Sequence, residues 1–499
     1  MITRREFMAA VTQTVAMASL AYSNTPRAQG THAGSTAGEK NIAEQLAAYA
    51  FNLRYEDIDP KTIEVLKGLL IDTLGCAIAA QHDKPVQIAR AVALQNAPLD
   101  LKNGATIIGS SRKTSIELAT FANASAVRQL DLNDIYIGKE IGHPSDNAPA
   151  CLATAEAEGS NGRDLLLALA IVYEVNCRLL DAAQINLRGW DHPSYGPPAV
   201  ALAVGKLMKL SQEQMVEAIN LAITGHLALN QTRVEKISNW KGLAAANAAR
   251  NAIFATNLAR AGLTGPSPIF EGKDGFFKRV SGPFKLDTKT FGGQGNRFRA
   301  LDCSVKFYPA QGLTQTAIVA AIALAKEVGD LKQIQSLNVY TSDDGYDKSG
   351  KDPQKWTPET SETADHSLPY IVAKAMFDGD IGAHSYELEA IRDPALRAFM
   401  QKIKVIPDAE LTAIYPKYYA TRIVAVLQNG RELSQRVDDI PGFATRPMTR
   451  TDYENKFTKY AKLSMKQAQM ARVFKIVWTL DQQASVTDLL AALTLEGNS

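Results

Sequence analysis

The chain has 499 residues, of which 46% are hydrophobic and 21% charged, with a formal net charge of +2. That length exceeds one compact core and predicts two or three domains, while the scattered lysines and arginines exclude a basic nucleic-acid surface. The four cysteines, Cys76, Cys151, Cys177 and Cys303, form no C-x-x-C pair and the first three lie in apolar helical stretches, so they read as free thiols rather than zinc ligands.

At the N-terminus Thr3-Arg4-Arg5-Glu6-Phe7-Met8 precedes a modestly apolar run from Ala9 to Ala21, the form of a twin-arginine export signal. Residues 23–39 are rich in Gly, Ser, Thr, Ala and Pro, as a tether is, so folding is expected to begin near Asn41. Such a signal implies delivery to the periplasm after cytoplasmic folding, with the twin-arginine export machinery as a partner, and a cytoplasmic protein if it is not used. Past the leader no apolar run has the length of a membrane span, which predicts a soluble mature chain without a stable membrane anchor.

From residue 40 to 301 the pattern is helical, with apolar residues three and four apart. Helices are expected at Lys61–Ala80, Ala148–Glu158, Arg163–Ala182 and Leu243–Ala261, and Ser211-Gln212-Glu213-Gln214 has the capping-box form that opens another. From 302 to 443 short β-patterned runs join the helices: Ile334–Thr341, Lys402–Ile406, and Thr421–Gln428 with Arg431–Val437. Asn429-Gly430 between the last two predicts a hairpin turn with both residues at positive φ. Helices are expected there at Thr314–Val328, His366–Phe377 and Pro394–Gln401. Residues 444–499 return to a helical pattern able to pack on the first part. The fold class read from this is mostly α with an α+β part: a large all-helical domain, a smaller inserted α/β lid and a C-terminal helical return, with a ligand cleft between domains.

Seven histidines serve the whole chain, yet His-Pro-Ser occurs twice, at His143-Pro144-Ser145 and His192-Pro193-Ser194. An imidazole at a helix entrance is a candidate acid or base, or else incidental to Pro-Ser opening a helix. Asp131 and Asp134 precede the first copy as either functional carboxylates or loop caps. Asp191 could orient an imidazole, although adjacent residues seldom pair that way. Lys241, at the start of an Ala-rich helix, suits an anion better than the helix dipole, and Lys306 lies at the domain boundary. Asp365 reads as a helix cap, and His366 as either structural or catalytic. No phosphate loop, H-E-x-x-H or G-x-S-x-G is present, which leaves nucleotide, zinc-hydrolase and serine-hydrolase chemistry without support.

These segments together resemble the MmgE/PrpD family, which includes 2-methylcitrate dehydratase and cis-aconitate decarboxylase. The resemblance runs from about Ile42 to about Leu480. It is carried by Ile71-Asp72-Thr73-Leu74-Gly75-Cys76, Gly142-His143-Pro144-Ser145-Asp146, Gly162-Arg163-Asp164-Leu165-Leu166 through Tyr173-Glu174-Val175, Lys306-Phe307-Tyr308-Pro309-Ala310, and Glu362-Thr363-Ala364-Asp365-His366-Ser367-Leu368-Pro369-Tyr370. It implies a cofactor-independent homodimer with a helical domain and an α/β lid. By position it implies Asp131, His143 and His192 as active-site residues, Lys241 and Lys306 as anion holders, and Tyr346 as a tyrosine of the lid. Gln311 and Gln315 stand where decarboxylase-like members carry histidine; glutamine exchanges no proton at neutral pH, which disfavours decarboxylation of cis-aconitate. The expectation is a hydro-lyase on a small hydroxy polycarboxylate, 2-methylcitrate dehydratase-like, with Gln311 among the substrate contacts. An epimerase, isomerase or decarboxylase on the same scaffold and a non-catalytic anion-binding protein are the alternatives.

Overall fold

A computed structural model describes residues 40–98, 101, 103–235 and 237–495. The twin-arginine-type segment lies outside them. Helix starts follow the local chemistry: Asn41 and Ser211 complete capping boxes with Glu44 and Gln214, Asp59 caps a helix whose first residue is Pro60, and Asn161 caps Gly162–Ala182. The long helices Pro60–Ala79, Gly162–Ala182 and Trp240–Arg260 fall within a residue or three of the predicted spans, Gly196–Leu207 is a further one, and all four bury much of their length. None of the described helices is long and apolar enough to cross a membrane. The protein is mostly α with an α+β part.

The described residues from Asn41 onward form one compact unit, within which the apolar core divides. The largest cluster gathers side chains from Ile42 to Val305 and then from Tyr453 to Leu495, and the next largest runs from Ala310 to Leu433. The C-terminal helix Arg450–Ala461 reaches the first cluster by lying against Pro60–Ala79. Gly68 and Gly75 make that approach possible, because a Cβ on either would sit 2.3 Å from the Tyr453 ring or 2.9 Å from the Phe457 ring. Asp72, between them, pairs with Lys456, which also donates to the Leu132 carbonyl at 2.9 Å. The Ile71-to-Cys76 motif is thus a docking surface for the tail.

The α/β part is a mixed sheet of β1 (Ile334–Thr341), β2 (Ile403–Pro407), β3 (Thr421–Leu427) and β4 (Glu432–Val437), in the order β2-β1-β3-β4. Only β1 and β2 are parallel. A parallel pair demands a crossover, and this one, residues 342–402, carries Tyr346, Lys355, Asp365 and His366. The β3–β4 turn differs from expectation: Gly430 alone has positive φ, +81°, and donates to the Leu427 carbonyl at 2.9 Å. Asn429 occupies an ordinary turn position, and the hairpin closes as a three-residue loop. All four cysteines are buried and free, with Cys177 and Cys303 4.0 Å apart at sulfur.

Candidate active site

Each His-Pro-Ser opens a short 3-10 turn that leads into a helix, Pro144–Asn147 before Ala148–Ala157 and His192–Tyr195 before Gly196–Leu207. The turns set the two imidazoles edge to face, centroids 5.3 Å apart. His143 is spent at both ends: Nδ1 meets the Asp134 carbonyl at 2.5 Å and Nε2 meets Arg128 Nη2 at 3.1 Å. Because a guanidinium only donates, Nε2 accepts and Nδ1 carries the proton. Burial, reinforced by Arg128 and Lys306, holds the His143 pKa well below the usual imidazole range, so the ring is neutral.

His192 is different. Asp191 Oδ1 accepts from the His192 backbone N–H at 2.9 Å and lies 3.0 Å from Nδ1, while Oδ2 accepts from Arg233 Nε at 2.9 Å. Adjacent residues pair here after all, because the turn folds the side chain back onto its predecessor. Burial alone would raise the Asp191 pKa; Arg233 and His192 overcome it and keep the carboxylate ionised. With Nδ1–H facing Asp191, the lone pair of His192 lies on Nε2, which is buried and without a hydrogen-bond partner. It lines, with His143, Asp146, Asn147 and Asn176, a cavity of about 10 Å³, room for about one water.

The charged half of the site is built around Asp131. This residue follows helix Ile116–Gln129 with φ +49°, a left-handed turn that aspartate tolerates better than most residues. Arg128 donates to its Oδ1 at 2.7 Å, Lys306 pairs with the same oxygen, and Lys241 and His366 lie 3.5 and 3.4 Å from Oδ2. Lys306 arrives through a two-bond bridge between Ile135 and Ser304. Burial would raise the Asp131 pKa, but Arg128, Lys306, Lys241 and His366 hold it well below the carboxylate range. Lys306, fully buried, has its own pKa lowered by burial against the pull of Asp131. Lys241 does hold an anion, Asp365 of the crossover, through bonds of 2.9 and 2.7 Å to its two oxygens. Asp365 therefore does not cap the following helix; Ser367 does, accepting from the Tyr370 N–H. His366 stands 2.6 Å from Asp365 Oδ1 and 3.1 Å from Lys241, and burial with Lys241 pushes its pKa down to about 4.

The structure thus brings Asp131, His143, His192, Lys241 and Lys306 together and adds Arg128, Asp365 and His366. Nothing local marked Arg128, one turn before Asp131 in a helix; the Asp365-His366 step sat within a motif already singled out. The two glutamines have structural roles. Gln311 caps the turn Gly312–Thr314 by accepting from the Leu313 N–H at 2.7 Å. Gln315 accepts from the Phe307 and Tyr308 N–H groups and donates to the Tyr308 and Ala310 carbonyls, all between 3.0 and 3.1 Å. It clamps the loop that presents Lys306. Tyr346 is half-buried in helix Asp343–Ser349 and makes no hydrogen bond to the cluster among the described residues. Asp134 braces the first His-Pro-Ser, accepting from the Ser145 N–H and hydroxyl and from Tyr173 at 2.8 Å; burial pushes its pKa up to about 7.

Asp131, Asp365 and His366 also offer ligand atoms within 4.8 Å of one another. Those atoms already face Arg128, Lys241 and Lys306, so a metal cation would enter against three positive charges, and the donor set does not fit one.

Comparison with known proteins matches residues 44–289 to the MmgE/PrpD N-terminal domain and residues 308–482 to the MmgE/PrpD C-terminal domain. A cis-aconitate decarboxylase-like protein of Aspergillus oryzae is 24% identical over 482 residues, covering 92% of this chain and 98% of its own. The 2-methylcitrate dehydratase of Cupriavidus necator is 25% identical over 412 residues, covering 78% and 83%. That of Escherichia coli is 24% identical over 438 residues, covering 79% and 84%.

Proposed function

The chain belongs to the MmgE/PrpD family, and from that membership and the site's geometry we propose a hydro-lyase that acts on a small hydroxy polycarboxylate. Relatives named as dehydratases and a decarboxylase-like protein make it an enzyme of lyase type; the dehydration and the substrate class are our reading. The observation that carries it is the unpartnered, buried Nε2 of His192, aligned by Asp191 and set beside a group of fixed cations.

In this reading His192 Nε2 takes the proton α to a carboxylate. The resulting imidazolium is stabilised by Asp191, whose charge Arg233 keeps in place. The electron pair left on carbon spreads into the carboxylate as an enediolate, where Lys241 and Lys306 place positive charge ahead of need. The β-hydroxyl then leaves as water, with a proton from the Lys306 ammonium, which burial makes more acidic. His143 keeps Arg128 aligned through its Nε2, which is why it is not assigned the base. Gln311 and Gln315 are committed to backbone groups, which counts against decarboxylation chemistry drawing on those positions.

The test incubates the purified enzyme with 2-methylcitrate and citrate in chelator-treated buffer and follows alkene protons by NMR. Alkene formation by the wild type and its loss in His192→Gln supports the reading. Solvent deuterium entering the α-carbon without alkene would replace dehydration by epimerisation, and release of carbon dioxide would replace it by decarboxylation. We further propose a homodimer exported to the periplasm, on the strength of the family and of the paired arginines at 4 and 5.

A further inference from the structure

Among the described residues the buried lysines are Lys67, Lys241, Lys306, Lys355 and Lys456. A carboxylate neutralises each of the others: Asp481 for Lys67, Asp365 for Lys241, Asp131 for Lys306 and Asp72 for Lys456. Lys355, 8% exposed, has neither a hydrogen-bond nor an ion-pair partner for its ammonium among the described residues. Solvent still reaches the Lys355 ammonium, so a fold that pairs its other buried lysines has left this one where a dissolved anion can meet it.

Its place explains why. Lys355 lies on the 3-10 turn Pro353–Trp356, and Ser367, the residue after His366, donates its hydroxyl to the Lys355 carbonyl. That bond ties the turn to the Asp365-His366 segment of the site. Burial lowers the Lys355 pKa; of its charged neighbours Asp365 and Asp352 attract it and Lys241 repels it. Neither carboxylate forms an ion pair with it: Asp365 is held through both oxygens by Lys241, and Asp352 caps the turn by accepting from the Gln354 N–H at 3.0 Å.

We propose that Lys355 binds a substrate carboxylate, one other than that held by Lys241 and Lys306, and so selects molecules bearing at least two carboxylates. The inference rests on the polycarboxylate reading above. It adds a receptor from the crossover to the cations of the helical part and the boundary loop.

The experiment measures binding of tricarballylate, which has no hydroxyl to lose, by calorimetry to the wild type, Lys355→Met and Lys355→Arg, with thermal unfolding of each. Lys355→Met is expected to weaken binding roughly 10- to 100-fold, the loss of one charge-assisted hydrogen bond, and Lys355→Arg to stay within a few-fold. Melting of Lys355→Met is expected at or above the wild-type temperature, because no partner is orphaned. Binding within threefold of wild type in Lys355→Met overturns this inference and leaves the His192 reading standing. A marked fall in its melting temperature, or failure to fold, also overturns it, since that exposes a structural partner. Absence of tricarballylate binding by the wild type overturns both this inference and the polycarboxylate reading.

Discussion

Asp191→Asn tests the geometry most directly. Oδ1 of Asp191 faces two donors, the backbone N–H of His192 at 2.9 Å and Nδ1 at 3.0 Å, while Oδ2 faces one, Arg233 Nε at 2.9 Å. An asparagine that turned its NH2 toward His192 would set a donor against two donors; turned toward Arg233, it meets one. The amide therefore keeps its oxygen on the imidazole, and the ring keeps its orientation. What disappears is the full negative charge beside the imidazolium formed on proton abstraction. At an effective dielectric constant of about 20, a unit charge about 4 Å away contributes about 4 kcal/mol. The remaining amide dipole recovers part of this, leaving about 3 kcal/mol, or a fall of roughly 100-fold in kcat. KM should change less than about threefold, because Asp191 bonds only His192 and Arg233. Initial rates of alkene formation, with circular dichroism to confirm folding, give both constants. A variant with kcat within about threefold of wild type, or with its whole loss in KM, would refute the assignment of His192 as base.

Three further outcomes follow from the same geometry. Asp134 titrates near pH 7 in the fold against about 3.9 in an unfolded chain, so between these values the native state holds a proton that the unfolded state has lost. Its contribution is complete below about pH 4 and is lost as pH rises through 7, at up to about 1.4 kcal/mol per unit. Urea unfolding from pH 4 to 8 should show that slope diminished in Asp134→Asn; parallel curves would count against it. Gln315→His removes a side chain bonded to four backbone groups, and should cost about 2–4 kcal/mol in urea unfolding without conferring release of carbon dioxide from cis-aconitate. Replacing Arg4 and Arg5 with lysine should retain the protein in the cytoplasmic fraction, and an unchanged distribution would exclude export through the paired arginines.

What the sequence made legible was whatever short-range chemistry dictates. Capping residues, prolines at first helical positions and apolar periodicity located most of the long helices and the strands of the sheet, while the core passes from one cluster to the next between Val305 and Ala310, a little beyond the change of pattern at 301 and 302. The site divided along the same line. His143, His192, Asp131, Lys241 and Lys306 announced themselves by residue type in unusual settings, whereas Arg128 looked like an ordinary helix-end arginine. Its burial beneath Asp131 depends on the left-handed turn at that residue, which the local sequence does not mark. Asp365 was misread for the complementary reason: a carboxylate ahead of a helix is normally its cap, and only the crossover between β1 and β2 carries it to Lys241. Gln311 and Gln315 were noted as absent histidines, and their bonds to the backbone appear only in three dimensions.

The charge balance gives Lys355 a role that Lys241 and Lys306 do not fill. Arg128, Lys241 and Lys306 face the carboxylates of Asp131, Asp365 and Asp146, and Arg233 is matched by Asp191. His143 and His366, with lowered pKa values, are neutral near pH 7, so this set has no surplus positive charge for a polyanion. A carboxylate reaching Lys241 must displace Asp365 or share it, and one reaching Lys306 competes with Asp131. Those exchanges suit catalysis, since a lysine that shifts from a protein carboxylate to a developing enediolate strengthens its bond in the transition state. They suit initial capture poorly, because each trades one ion pair for another. Capture needs a cation that gives up no partner, and among the described residues Lys355 is the buried lysine that meets that condition.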